Sequence, residues 1–339
     1  MFNNLINIHD ISKLAEKIKQ GELNRILSKL GSRKQGKIKK SWEHIENPPM
    51  NWWDIPTVTE RWNYLISGDA KVDYYEYFSH KFLSDKESLN ALSLGCGIGE
   101  LELRWAELGK FKSIDAYDLS DPRIEYAKSK AKEKGYGEII NYRVADVYHI
   151  EILESYYDVV LVEHSLHHFS PLEEILLRVN SFLKPDGYFI VNEFVGPTRF
   201  EWTDRQLEII NGLLSILPAK YRAQWNSNTV KSKVFRPGRL RMILDDPSEA
   251  VESSRILPLL HQIFDVIEIK EYGGTILHLL FSGIAHNFLK DNSETRCFMN
   301  LCFEVEDQLL KSGDIQSDFV VTICRKRSAV RNSSSQRRV

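Results

Sequence analysis

The segment Ala91-Leu-Ser-Leu-Gly-Cys-Gly-Ile-Gly-Glu100 restricts the fold more than any other part of the chain. A short apolar run bounded by a turn signal reads as a buried strand, and three glycines spaced two apart then force a tight turn. Lacking Cβ, glycine lets the backbone bend sharply and approach a ligand, and the helix that follows presents N–H groups to it. Comparable runs recur at 113–117, 139–144, 157–162 and 188–193, alternating with helical segments. That alternation predicts strand–helix–strand units and a parallel sheet. It stops after Val195; residues 197–258 read as a largely helical insertion, with a helix at 205–217 and loops around Pro218, Pro237 and Pro247. A strand at 263–270, a helix at 275–289 and a last strand at 318–325 complete the pattern. The expected architecture is an α/β, doubly wound, seven-stranded and mostly parallel sheet.

Flanking regions differ in character. Residues 8–30 carry apolar positions at helical spacing, and the basic run 32–40 reads as a solvated linker. Between Ser41 and Tyr77 lie Trp42, Trp52, Trp53 and Trp62, which predicts an ordered helical, Trp-rich cap over residues 1–88. The core is expected to span 89–327, with 197–258 as a substrate-side lid and 328–339 as a disordered tail. A formal net charge of -2 gives no pull toward nucleic acid. No apolar run approaches the roughly 20 residues needed to cross a bilayer, and no secretory signal is visible, so a cytoplasmic protein is expected. Cys96, Cys297, Cys302 and Cys324 lack metal-ligand spacing and read as buried, reduced thiols.

The glycine turn discriminates between ligands. Gly95, Gly97 and Gly99 have G-x-G-x-G spacing, whereas a dinucleotide fingerprint needs its third glycine at position 100, which is Glu100. A carboxylate there opposes a pyrophosphate. It does not oppose S-adenosylmethionine (SAM), a cation at its sulfonium and ammonium. Asp118, at the end of the second strand, suits the two ribose hydroxyls, while Asp115 inside that strand reads as structural. Asp146, after the third strand, suits the exocyclic amine of adenine, whose ring would pack on Val147; taken alone, Asp146 reads equally as a helix cap.

Taken in order, these segments resemble the core of the class I SAM-dependent methyltransferases over residues 89–195. The match includes Lys184-Pro-Asp-Gly187, close to that family's Lys/Arg-Pro-Gly-Gly turn, and departs from it at Ser93, where the family carries an acid. The resemblance implies SAM as cofactor, a ribose role for Asp118 and an adenine role for Asp146. The expected cofactor site comprises Gly95, Gly97, Gly99, Asp118, Leu119, Asp146, Val147 and Glu163.

Catalysis is expected after the fourth strand, where Glu163-His-Ser-Leu-His-His168 places three of the chain's ten histidines in five residues. Neutral imidazole is the usual general base near pH 7, and a hydroxyl acceptor needs one. Leu166-His-His168 with Asn192-Glu-Phe-Val195 is similar to natural-product O-methyltransferases, including deoxysugar enzymes. That likeness implies acceptor-side roles for His167, His168 and Glu193, and Glu193, at the end of the next strand, is also placed to orient one of the histidines. A metal on His164, His167 and His168 is not expected, because hard divalent ions prefer oxygen ligands. The expected activity is methyl transfer from SAM to a small or medium organic acceptor, at a hydroxyl of a sugar or secondary metabolite. Transfer to nitrogen, a non-catalytic SAM-binding module and an NAD-dependent dehydrogenase are the alternatives. Oligomeric state is not legible.

Overall fold

The computed structural model describes residues 51–327 together with Asp10. The helix expected at 8–30, the basic run, Trp42 and the tail lie outside the described residues, Asp10 excepted. In chain order the elements are α1 (Pro56–Ser67), α2 (Tyr74–Phe82), β1 (Leu89–Leu94), α3 (Glu100–Glu107), β2 (Phe111–Asp118), α4 (Asp121–Glu133), β3 (Ile140–Val144), β4 (Tyr157–Glu163), α5 (Leu172–Phe182) and β5 (Leu183–Phe194). They continue with α6 (Asp204–Ile216), α7 (Arg239–Asp245), α8 (Ile256–Ile263), β6 (Phe264–Gly273), α9 (Leu277–Phe281), α10 (Ser293–Ser312) and β7 (Phe319–Lys326).

The seven strands form one sheet in the order β3-β2-β1-β4-β5-β7-β6. Strands β1 to β5 pair in parallel, and β7 inserts antiparallel between β5 and β6. All six residues of β1 are buried, as a central strand covered on both faces must be. On one face α2, α3 and α4 pack Phe78, Trp105 and Ala127 against Ala91, Val159 and Ile190. On the other, α5 and α8 pack Leu176 and Leu260 against Leu92, Val160 and Phe189. The order reverses between β1 and β4, so a crevice opens beyond their carboxyl ends.

A third apolar cluster joins the cap to the core's C-terminal part. Trp52 is fully buried, its ring edge-on to Trp62 with centroids 4.5 Å apart and tilted against Phe319 at 5.0 Å. Truncating such a residue costs about 3–5 kcal/mol, so the segment around Trp52 is fastened to the core. Three features depart from expectation. The helix read at 275–289 is broken: α9 ends at Phe281, Gly283 turns the chain at φ 77°, and a short 3-10 turn follows. The 20-residue helix α10 was not foreseen. Cys297 is also exposed rather than buried.

Candidate active site

The crevice widens into a cavity of about 1680 Å³. A pocket for one drug-sized ligand runs roughly 300–1,000 Å³, so this space accommodates a cofactor and an acceptor together. Its floor is the carboxyl ends of β1 to β5, its walls come from α1, α2 and the insertion after β5, and α9 contributes His278 and Leu279.

The glycine turn forms because the neighbours leave no room for anything larger. A Cβ on Gly95, at φ 77°, would lie 2.6 Å from the Ser165 Cβ. On Gly99, at φ 79°, it would lie 2.7 Å from the Ala127 Cβ. Gly95 and Gly97 line the cavity, whereas Gly99 caps α3 from beneath, its carbonyl accepting the Tyr142 hydroxyl at 2.8 Å. Gly99 therefore shapes the turn from outside the cavity lining.

Asp118 holds the turn to β2. Its two carboxylate oxygens accept the Gly97 N–H at 3.0 Å and the Ser120 N–H at 2.8 Å, one each. Each oxygen retains further acceptor capacity toward the cavity, which Asp118 and Leu119 line. Asp146 and Val147 face the same space, and Asp146 also closes its own turn by accepting the Tyr148 N–H at 3.0 Å. Asp115 accepts from Tyr157 at 2.7 Å and Asn141 at 3.1 Å, the structural role expected of it.

Ser93 gives its hydroxyl proton to buried Glu102 on α3 at 2.6 Å. Burial pushes the Glu102 carboxyl up to about 7, against the opposing effect of that hydrogen bond. In the register Ser93 pairs with Leu161, so Glu163, two residues on, extends from the same face of the sheet. Glu163 lines the cavity, accepts the Trp105 Nε1–H at 2.8 Å and is bonded by the Tyr74 hydroxyl from α2. Burial raises its carboxyl to about 8.

The histidine turn is built around Glu193. This carboxylate is fully buried and absent from the cavity wall. It accepts the main-chain N–H of Leu166 at 2.6 Å, of His167 at 3.3 Å and of Phe194 at 2.5 Å, and lies 2.5 Å from His167 Nδ1. Glu193 was expected to support one of the histidines or to flank the acceptor; it is buried behind His167, a placement that fits the first. His164, His167 and His168 all line the cavity.

A residue not foreseen completes the cluster. Glu249, from the insertion, puts a carboxylate oxygen 3.4 Å from His167 Nε2. Burial alone would lower His167, but Glu193 and Glu249 outweigh it and push the ring up to about 10, an imidazolium. His168 is driven down to about 3 by burial and by the adjacent His167 cation. Ser248 donates its hydroxyl to Asp246 at 2.6 Å, so at the 3.2 Å contact between Ser248 Oγ and His168 Nδ1 the ring nitrogen is the donor. One donor atom each from His167, His168 and Glu249 falls within 4.8 Å of the others, a spacing a cation could bridge; His164 is not in that group.

No helix among the described residues is long and apolar enough to cross a membrane. A methyltransferase-domain family model matches residues 92–191. The chain is 27% identical over 270 residues to the ubiquinone biosynthesis O-methyltransferase of Rickettsia canadensis, covering 78% of this chain and 96% of that protein. It is 21% identical over 125 residues to the ubiquinone/menaquinone biosynthesis C-methyltransferase of Shewanella baltica, covering 37% of this chain and 50% of that one. A geranyl diphosphate methyltransferase solved with geranyl diphosphate and sinefungin shares the fold, with a TM-score of 0.52 at 12% identity, over 87% of this chain and 100% of that chain. The chain is an enzyme, a SAM-dependent methyltransferase of class I architecture.

Proposed function

We propose that this SAM-dependent methyltransferase methylates a hydroxyl oxygen on a medium-sized, largely apolar organic acceptor. The observation that carries the reading is the continuity of one cavity from Asp118 and Asp146 to His167, His168 and Glu249. SAM would lie with its ribose on Asp118, its adenine between Asp146 and Val147, and its methionine end over Gly95 and Gly97. Glu163, ionised by pairing, would take the ammonium that the family's acid at position 93 would otherwise meet. The methyl group then points toward the histidine turn.

The acceptor oxygen attacks the methyl carbon in line as the carbon–sulfur bond breaks, leaving S-adenosylhomocysteine. Holding both partners in line in a site closed to water supplies most of the rate. A hydroxyl must also lose its proton, and positioned acid–base assistance contributes about 10²–10⁴-fold. That proton leaves at the cluster where His167 and His168, held by Glu193, meet Glu249 from the insertion.

The acceptor half of the cavity is walled by Trp62, Phe194, Phe200, Trp202, Val234 and Phe235. Apolar rings suit a ring-bearing or prenylated molecule better than a bare sugar, and the Rickettsia relative is an O-methyltransferase of ubiquinone biosynthesis. A phenolic hydroxyl of a quinone precursor is accordingly favoured over the sugar hydroxyl. Residues 197–258 act as the lid and the Trp-rich segment through 88 as the cap. The test is turnover of labelled SAM with a prenylated catechol, a methyl glycoside and an alkylamine offered separately. Turnover of the catechol supports the reading; turnover of only the amine replaces it with N-methylation, and SAM binding with no turnover of any probe counts against it.

A further inference from the structure

We infer that Glu249, carried into the cavity wall by the insertion after β5, takes the acceptor hydroxyl's proton as the methyl group is transferred. The inference rests on the hydroxyl reading above and names the group that reading leaves open.

Four groups make up the cluster, and three are poorly placed or poorly poised. Glu193 has no face on the cavity and is engaged by three main-chain N–H groups and by His167 Nδ1. His167 sits between two carboxylates, Nδ1 toward Glu193 and Nε2 toward Glu249, and in that setting carries both ring protons. An imidazolium can stabilise an anion but cannot accept a proton. His168, donating Nδ1 to Ser248, is a neutral ring whose surroundings resist a second charge. Glu249 is the carboxylate of this cluster that lines the cavity; burial pushes its carboxyl up, but the histidines beside it outweigh burial and hold it below the usual range, so it stays ionised and takes a proton only as the methyl group is transferred.

Its placement is built in. The Arg199 guanidinium donates to the Pro247 carbonyl at 2.8 Å and the Glu249 carbonyl at 3.0 Å, and the Arg199 N–H donates to Ala250 at 2.7 Å. The Val251 N–H donates to the His167 carbonyl at 3.1 Å, tying the same loop to the histidine turn. At this joint Arg199, Phe200 and Ala250 adopt φ of 56°, 53° and 46°. Side-chain-bearing residues take that left-handed region only where the surroundings impose it, and such residues cluster at functional sites. Arg199 is thereby a positioning residue for Glu249.

The step balances. The acceptor's O–H bond breaks and its proton passes to the Glu249 carboxylate; an oxygen lone pair forms the new bond to the methyl carbon. The carbon–sulfur electron pair stays on sulfur. His167, still protonated, stabilises the developing oxyanion and then the neutral carboxyl beside it. The proton leaves to water when the product departs.

The experiment uses the full chain, the prenylated catechol and two variants, Glu249→Gln and Glu249→Ala. Both should bind SAM within about threefold of wild type by calorimetry, which shows that they fold. Turnover should fall about 10²–10³-fold, and added formate should restore part of it in Glu249→Ala but not in Glu249→Gln. Wild-type turnover with undiminished activity in Glu249→Gln overturns the inference while leaving the hydroxyl reading intact. Loss of wild-type turnover in EDTA with recovery on Mn²⁺ or Zn²⁺ also overturns it, since His167, His168 and Glu249 would then be ligands. No wild-type turnover of the catechol or the glycoside sinks the hydroxyl reading and the inference with it.

Discussion

Glu193 Oε1 lies 2.5 Å from His167 Nδ1 while the same carboxylate accepts the main-chain N–H of Leu166, His167 and Phe194. One buried anion thus fixes both the fold of the histidine turn and the charge of a ring that lines the cavity. The turn after β4 and the end of β5 are locked together through it.

Replacing that anion should show in stability and turnover together. Glu193→Gln keeps the shape but sets an NH2 group or a weaker acceptor against three N–H donors and leaves His167 without its buried counter-charge. Breaking a buried pair costs about 3–5 kcal/mol. The variant should melt several degrees lower by calorimetry and turn over poorly, with SAM affinity near wild type. The pH dependence has a definite sign. His167 is raised in the folded state, so its contribution is complete below the unfolded histidine range near 6.5 and fades as pH rises through about 10. Wild type should lose stability over that alkaline window, and Glu193→Gln should lose much less. Parallel pH–stability curves for the two proteins would contradict the assignment.

Asp118→Ala removes a carboxylate that holds Gly97 and faces the cofactor space. Charge-assisted hydrogen bonds contribute about 1.5–3 kcal/mol each. Two to the ribose predict SAM binding weakened at least about a hundredfold by calorimetry. Unchanged affinity would remove Asp118 from the ribose site.

How much of this was legible in the chain follows from the range of the interactions. The Gly95–Gly99 turn, the sheet and the place of Asp118 at the end of β2 were readable because each depends on local pattern: period, spacing and strand end. Strand bounds shifted by a few residues, most at β5, which begins at Leu183 rather than 188. The α10 helix carries its own end signals, an Asn292 cap accepting the Glu294 and Thr295 N–H groups and Gly313 at its other end. Glu249 had none. Its role comes from a loop of the insertion folding back onto His167, and nothing in Asp246-Pro-Ser-Glu249 by itself marks that destination. Glu193 belongs to the expected cluster, but whether it supports a histidine or flanks the acceptor was not legible, because strand alternation near a turn does not reveal which face the cavity takes.

Glu163 links cofactor binding to pH. Its raised carboxyl is neutral up to about 8 in the empty site and must ionise to meet a cationic ammonium. SAM binding should therefore release a proton, and affinity should rise with pH up to about 8 and then level. For folding the sign is the reverse: this raised acid contributes stability below its unfolded range, lost as pH rises through about 8. Calorimetry in two buffers of different ionisation enthalpy measures the proton released; Glu163→Gln should abolish it. Release that persists in the variant would shift the role to another carboxyl, with Glu102 the first to examine.

The most direct measurement locates the transferred methyl group. Wild-type protein incubated with methyl-labelled SAM and a prenylated catechol should yield a product one methyl group heavier, with NMR placing the label on a ring oxygen and S-adenosylhomocysteine formed in equal amount. A label on carbon or nitrogen, or bound SAM that is never consumed with any hydroxyl-bearing probe, would contradict the account.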